Sequence, residues 1–93
     1  MTENQVIEVF KALSVNSRVQ IIKLIRDRKL CVNAIARRLE ITQSAVSQHL
    51  KILRDRNLVY TDRYGSIIHY RLNKAKVEEF CKSLNEMLIH QGK

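Results

Sequence analysis

The chain has 93 residues and a formal net charge of +8, with 45% hydrophobic and 28% charged residues, which fits one small soluble globular domain and excludes a disordered chain. No apolar run approaches the ~18 residues of a membrane span, and the opening MTENQ lacks the basic start of a signal peptide, so a cytoplasmic, membrane-free protein is expected. Two cysteines, Cys31 and Cys81, are neither a disulfide framework nor a zinc-finger spacing.

The charge is uneven. Residues 11–76 hold 15 of the 17 Lys and Arg but only four of the nine acids, a balance of +11 between mildly acidic ends. A basic centre points to a polyanion as partner, with a charge excess kept for solubility as the plainer alternative.

Taken in order, Thr2 and Gln5 have capping-box spacing, which predicts a first helix over about residues 3–13. Val6, Val9, Phe10 and Leu13 lie along one side of it, with Ile7 flanking. Cap-capable residues from Ser14 to Ser17 break the pattern. A second helix is expected to reach about Asp27, with Val19, Ile22 and Ile25 inward and Ile21 and Leu24 widening the stripe. Arg26, Arg28 and Lys29 follow at its end, where cations favour the helix dipole. Cys31 and Val32 read as the start of a short connection, and Asn33 as the cap of a third helix reaching about Glu40.

Ile41 to Arg56, ITQSAVSQHLKILRDR, is the most informative stretch. Thr42 is a good N-cap, and Val46, Leu50 and Leu53 draw one apolar stripe. The opposite arc carries Gln43, Ser44, Ser47, Gln48, Lys51 and Arg54. Amides can pair with base edges, while hydroxyls, cations and a helix N-terminus suit phosphates. An ordinary solvated face is the alternative for a helix taken alone. Two short helices joined by a tight turn, the second with a polar outward face, are the pattern of a helix-turn-helix, here over about 33–56 and without the usual turn glycine.

After Asn57 the period changes. Leu58 to Arg63 and Ser66 to Leu72 read as a hairpin split at Tyr64–Gly65, a wing over about 58–72. Asn73 caps a last helix over about 74–90, where Val77, Phe80, Cys81, Leu84, Met87 and Leu88 follow an a/d-like spacing. Its stripe suits the first helix and a second copy of both. The predicted fold is therefore a single mainly α domain over 1–93 with a β-hairpin wing, a winged helix-turn-helix whose outer helices dimerise.

The segment LSVNSRVQIIKLI, then CVNAIARRLEITQSAVSQHLKILRDRNLV, then the wing ending HYRLN, resembles the ArsR/SmtB-type repressors. The resemblance covers about Leu13 to Asn73, and its most specific part is QSAVSQHLKIL followed by NLV and YRL. It implies a dimeric repressor that binds an imperfect inverted repeat in double-stranded DNA and lets go when an inducer binds. It places Gln43, Ser44, Ser47, Gln48 and His49 in or beside the major groove and Arg63 and Tyr64 in the wing. Thr42, Lys51 and Arg54 complete the DNA-binding candidates, and Val6, Val9, Phe10, Phe80, Leu84, Met87 and Leu88 are the candidates for the dimer interface.

The family's inducer sites do not carry over. Where metal-sensing members read Cys-Val-Cys, this chain has Cys31 but Asn33 in place of the second thiol, and Ala36 where some members have a third. For the zinc site between paired last helices, Glu79 and His90 have one of the required separations, while Val77 and Lys93 occupy other ligand positions. No metal and no cofactor are expected. Cys31 and Cys81 are read first as small packing residues and second as a redox pair. His49 is read as a hydrogen-bonded packing residue beside the groove, His69 and His90 as solvent-facing, and Arg18 as the donor of a local salt bridge. No acid is spaced to orient His49, so no catalytic constellation arises. The runner-up function is a winged-helix module that binds nucleic acid without sequence choice or pairs with a protein.

Overall fold

A computed structural model describes residues 1–89 as five helices and one three-stranded antiparallel sheet. Helix α1 (Glu3–Leu13) starts on the expected capping box. The Thr2 hydroxyl accepts from the Gln5 amide at 3.2 Å, and the Gln5 side chain accepts from the Thr2 amide at 2.8 Å. Helix α2 (Asn16–Ile25) has no side-chain cap and ends two residues before Asp27. It also sits at a different rotation from the one expected. Ile21 and Ile25 are buried at 0% and 1% exposure, while Val19 is 38% exposed. Five apolar residues on ten positions cover more than half the helix circumference. The packing of α2 between α1, α3 and α4, not its periodicity, decides which edge turns inward.

Leu30 and Cys31, expected in a connection, form strand β1, which pairs antiparallel with the later hairpin through Leu30↔Tyr70 and Cys31↔His69. Helix α3 (Val32–Leu39) then begins one residue before Asn33, with Cys31 rather than Asn33 in the capping position. It ends on Glu40 in the left-handed region (φ 56), and the Ile41 amide closes onto the Ala36 carbonyl at 3.2 Å. A glutamate thus makes the turn that glycine commonly makes, at a strain on the order of 1–2 kcal/mol.

Helix α4 (Gln43–Asp55) buries Val46, Leu50 and Leu53 at 0%, 1% and 0% exposure. Asn57 (φ 61) turns the chain out of it, and Asn tolerates that conformation better than most residues. The wing is β2 (Val59–Tyr64) and β3 (Ile67–Leu72), in register from Val59↔Leu72 to Tyr64↔Ile67. The loop is therefore Gly65–Ser66, one residue later than expected. Gly65 takes φ +63, the positive value that both favoured two-residue turns require at their first loop position. The sheet order is β1-β3-β2.

Buried Asn73 joins the wing to α5 (Lys74–Leu88). Its side chain accepts from the Lys76 amide at 3.2 Å and donates to the Asn57 carbonyl at 2.8 Å. One amide thus fixes the segment after α4 to the start of α5. Helices α1 and α5 pack together at the far side, where Phe10 and Phe80 meet edge to face with centroids 5.9 Å apart. No helix among the described residues is long and apolar enough to cross a membrane.

Candidate nucleic-acid interface

The physical basis of the site is how firmly α4 is held while one side of it stays free. Burying Leu50 and Leu53 contributes about 2–5 kcal/mol each against truncation to alanine. The Thr42 hydroxyl accepts from the Ala45 amide at 3.0 Å, which leaves the first amides of the helix, at Gln43 and Ser44, pointing outward. Thr42, Gln43, Ser44, Ser47, Gln48, Lys51 and Arg54 are all exposed. Six of them share one face of α4, and Thr42 stands at its start. Gln43 donates to the Asn33 side chain of α3 at 3.3 Å, so its own carbonyl oxygen stays available. Lys51 reaches Asp55 at 3.2 Å across one helical turn, an exposed pair that exchanges readily for a phosphate. A groove between α4 and the wing is lined by Ser47, Lys51, Arg54 and Tyr70.

His49 is turned toward α2 and half-buried. Its Nδ1 accepts from Arg18 Nε at 3.2 Å, and Arg18 Nη1 donates to the Ala12 carbonyl at 3.2 Å. Arg18 therefore ties the end of α1 to the middle of α4. Among the described residues it has no carboxylate partner, so the expected local salt bridge is replaced by two hydrogen bonds. Burial, and then the Arg18 charge, push the His49 imidazole below its usual pKa. The neutral ring is the form that can accept.

Arg63 is exposed on the wing. Tyr64 ends β2 and is engaged on the outer face of the sheet. Lys29 donates to its hydroxyl and stands 4.5 Å from its ring centroid, and His69 meets the ring edge to face at 5.2 Å. His69 is not solvent-facing as expected: it is half-buried, and its Nδ1 is buried without a partner. Its neighbours across the sheet, Cys31 and Asp62, cover it, and β1 was absent from the sequence reading. Lys29 was read from the sequence only as one of three cations following the second helix. Its contact with Tyr64 spans 35 positions, which no local pattern announces.

The dimer candidates divide. Val6, Val9 and Phe80 lie in the chain's own core at 1%, 2% and 6% exposure, because α1 and α5 cover each other's inner faces. They are corrected from interface to core. Phe10, Met87 and Leu88 remain exposed at 47%, 36% and 63%, joined by Ile7 at 37%, and Leu84 is half-buried. Cys81, expected to pack in the core, is exposed on α5, while Cys31 is half-buried in β1; both thiols are free. Among the described residues no three His, Cys, Asp or Glu side chains converge as a metal site. Glu79 pairs with Lys76 at 3.7 Å, and the readings placed on His90 and Lys93 lie outside the described residues.

An α3–α4 pair with a free polar face, followed by a hairpin wing, defines a winged helix-turn-helix DNA-binding regulator. The family model described as "Bacterial regulatory protein, arsR family" matches residues 16–61. The chain is 40% identical over 74 residues to the HTH-type transcriptional regulator KmtR of Mycobacterium tuberculosis, a match covering 80% of this chain and 57% of that relative. It is 40% identical over 78 residues to the arsenical resistance operon repressor of Bacillus subtilis, covering 77% and 74%, and 34% identical over 79 residues to the transcriptional activator HlyU of Vibrio cholerae, covering 85% and 73%. Among solved structures, the homodimeric winged helix-turn-helix DNA-binding domain Mb0332 of Mycobacterium bovis superposes with a TM-score of 0.75 at 30% identity, covering 94% of this chain and 84% of that one. This chain belongs to the arsR family of bacterial regulatory proteins.

Proposed function

We propose that the protein acts in the cytoplasm as a homodimeric transcriptional repressor that reads an inverted repeat in double-stranded DNA with one α4 from each copy. The observation that carries this reading is the division of α4: Val46, Leu50 and Leu53 are buried, while Gln43, Ser44, Ser47, Gln48, Lys51 and Arg54 are exposed on the same helix. In this reading Gln48, with Gln43 and the two serines, pairs with base edges in the major groove. Lys51, Arg54 and the outward amides of the helix start hold phosphates, and Arg63 adds a wing contact. Phe10, Met87 and Leu88 meet a second copy, which sets the distance between half-sites. The protein works by occupying the groove, with no catalytic step.

Selection of bound sequences from random duplex DNA tests this. The expected product is a pair of inverted half-sites whose centres lie ~10 base pairs or a multiple apart, bound ~10³-fold or more above random DNA at physiological salt. A pool without a common motif would instead support a module that binds nucleic acid through the +11 central segment alone.

A further inference from the structure

We propose that the outer face of the sheet and the cleft at its foot form a second phosphate-binding surface, which holds the DNA backbone flanking the half-site read by α4; this rests on the DNA-binding reading above. The strand register puts Tyr60, Asp62, Tyr64, His69 and Arg71 on the side of the sheet opposite the buried Leu30 and Val59, and Lys29, just before β1, reaches Tyr64 on that side. Two of the cations stand over aromatic rings: Lys29 over Tyr64 and Arg71 over Tyr60, each 4.5 Å from the ring centroid. At the foot of the wing this face opens into a cleft between the end of α2 and the start of α5. Arg26, Arg28, Lys29, Arg71 and Lys74 line it, with Tyr60 between them.

The charges in this cleft are not balanced within the chain. Arg26 pairs with Asp27 at 3.2 Å and Arg71 with Asp62 at 2.8 Å. Arg28, Lys29 and Lys74 have no carboxylate partner among the described residues. The helix dipole does not account for them either. Helix α2 stops at Ile25, so Arg28 and Lys29 lie past the last turn, where the dipole's effect has decayed. Lys74 opens α5, the end at which a cation is unfavourable, and that helix has no acid in its first turn. Three segments thus bring like charges together on an exposed surface, and an anion complements them.

The shape favours a backbone over a small anion. From Tyr64 to Tyr60 the strand runs on the order of 13 Å, at ~3.3 Å per residue, so the cations form an open track and not a closed cavity. The track reaches the wing tip, since Lys29 touches Tyr64, the last residue of β2. Cations already resting on rings lose little freedom when they bind.

The test compares the selected operator with short flanks against the same operator extended by one helical turn on each side, using the full chain. Wild type should bind the extended duplex ~10-fold tighter and with a steeper salt dependence. The double variant Arg28→Ala, Lys74→Ala should lose that gain and about two units of salt slope on the extended duplex, at about one per phosphate contact, with affinity for the short duplex unchanged. Arg28→Lys, Lys74→Arg should keep the gain, which separates charge from folding. The proposal is overturned if flank extension gains nothing in wild type, or if the alanine variant loses equally on both duplexes. Wild type that binds neither duplex specifically would overturn the function proposed above, a distinguishable result.

Discussion

Arg18 is the side chain whose removal should be felt furthest from its own position. It makes two hydrogen bonds in a half-buried setting, Nε to His49 Nδ1 and Nη1 to the Ala12 carbonyl, both at 3.2 Å. Arg18→Leu keeps the apolar stem and leaves two acceptors without a donor. At about 1 kcal/mol for each partly buried bond the loss is about 2 kcal/mol, which for a domain of this size lowers Tm by about 8–16 °C. His49→Ala removes only one of the two bonds and should cost about half as much. Because the residues touch, the double variant should recover about 1 kcal/mol relative to the sum of the single losses. Urea titration of the four proteins measures this. Losses that add within about 0.3 kcal/mol would refute the tie between α2 and α4. The same pair fixes a pH dependence. The folded imidazole titrates below its unfolded value of about 6.5, so the contribution of the neutral ring is complete above about pH 6.5 and is lost as pH falls through the folded pKa. Arg18→Leu should weaken this acid sensitivity, because the arginine charge is one of the two causes of the shift.

Leu88→Glu and Phe10→Glu change exposed residues, so each should leave the fold intact and shift the dimer toward monomer in sedimentation, with weaker operator binding. Val6→Glu should instead unfold the chain, which circular dichroism separates from dissociation. Gly65→Ala meets nothing within 4 Å of an added Cβ, so its cost should be conformational strain alone, about 1 kcal/mol in chemical denaturation. Arsenite and Zn²⁺ should leave operator affinity unchanged in a mobility-shift titration, since Asn33 follows Cys31 where a second thiolate is required. A response at micromolar metal would show that other ligands complete a site.

Much of the site could be read in the sequence because its signals are local. Thr42 lies three residues from the amide it caps, and Val46, Leu50 and Leu53 repeat within the reach of one helix face. Gly65 marks its turn because few other residues adopt a positive φ there. The larger failures are non-local. A strand of two residues, Leu30 and Cys31, has no period, and only its pairing to Tyr70 and His69 makes it a strand. That missing strand is also why His69 was expected to face solvent. The rotation of α2 is set by its neighbours α1, α3, α4 and β3, not by its own stripe. Val6, Val9 and Phe80 have the spacing of a dimer seam, and the same spacing serves a core when α1 and α5 of one chain close on each other. Glu40 shows the reverse case, a turn made without the expected glycine because the Ile41 amide secures it.

Whether the free face of α4 reads sequence is decided by comparing Gln48→Ala with Lys51→Ala on the selected operator and on random duplex DNA across a salt series. Both side chains are exposed on that face, and only their chemistry differs. Gln48→Ala should cost ~1–3 kcal/mol on the operator and little on random DNA, as expected for an amide paired with a base edge. Lys51→Ala should weaken both duplexes about equally and lower the salt slope by about one, as expected for a phosphate contact. If the two variants behave alike on both duplexes, α4 grips DNA without reading it, and the account of this protein as a sequence-specific repressor is contradicted.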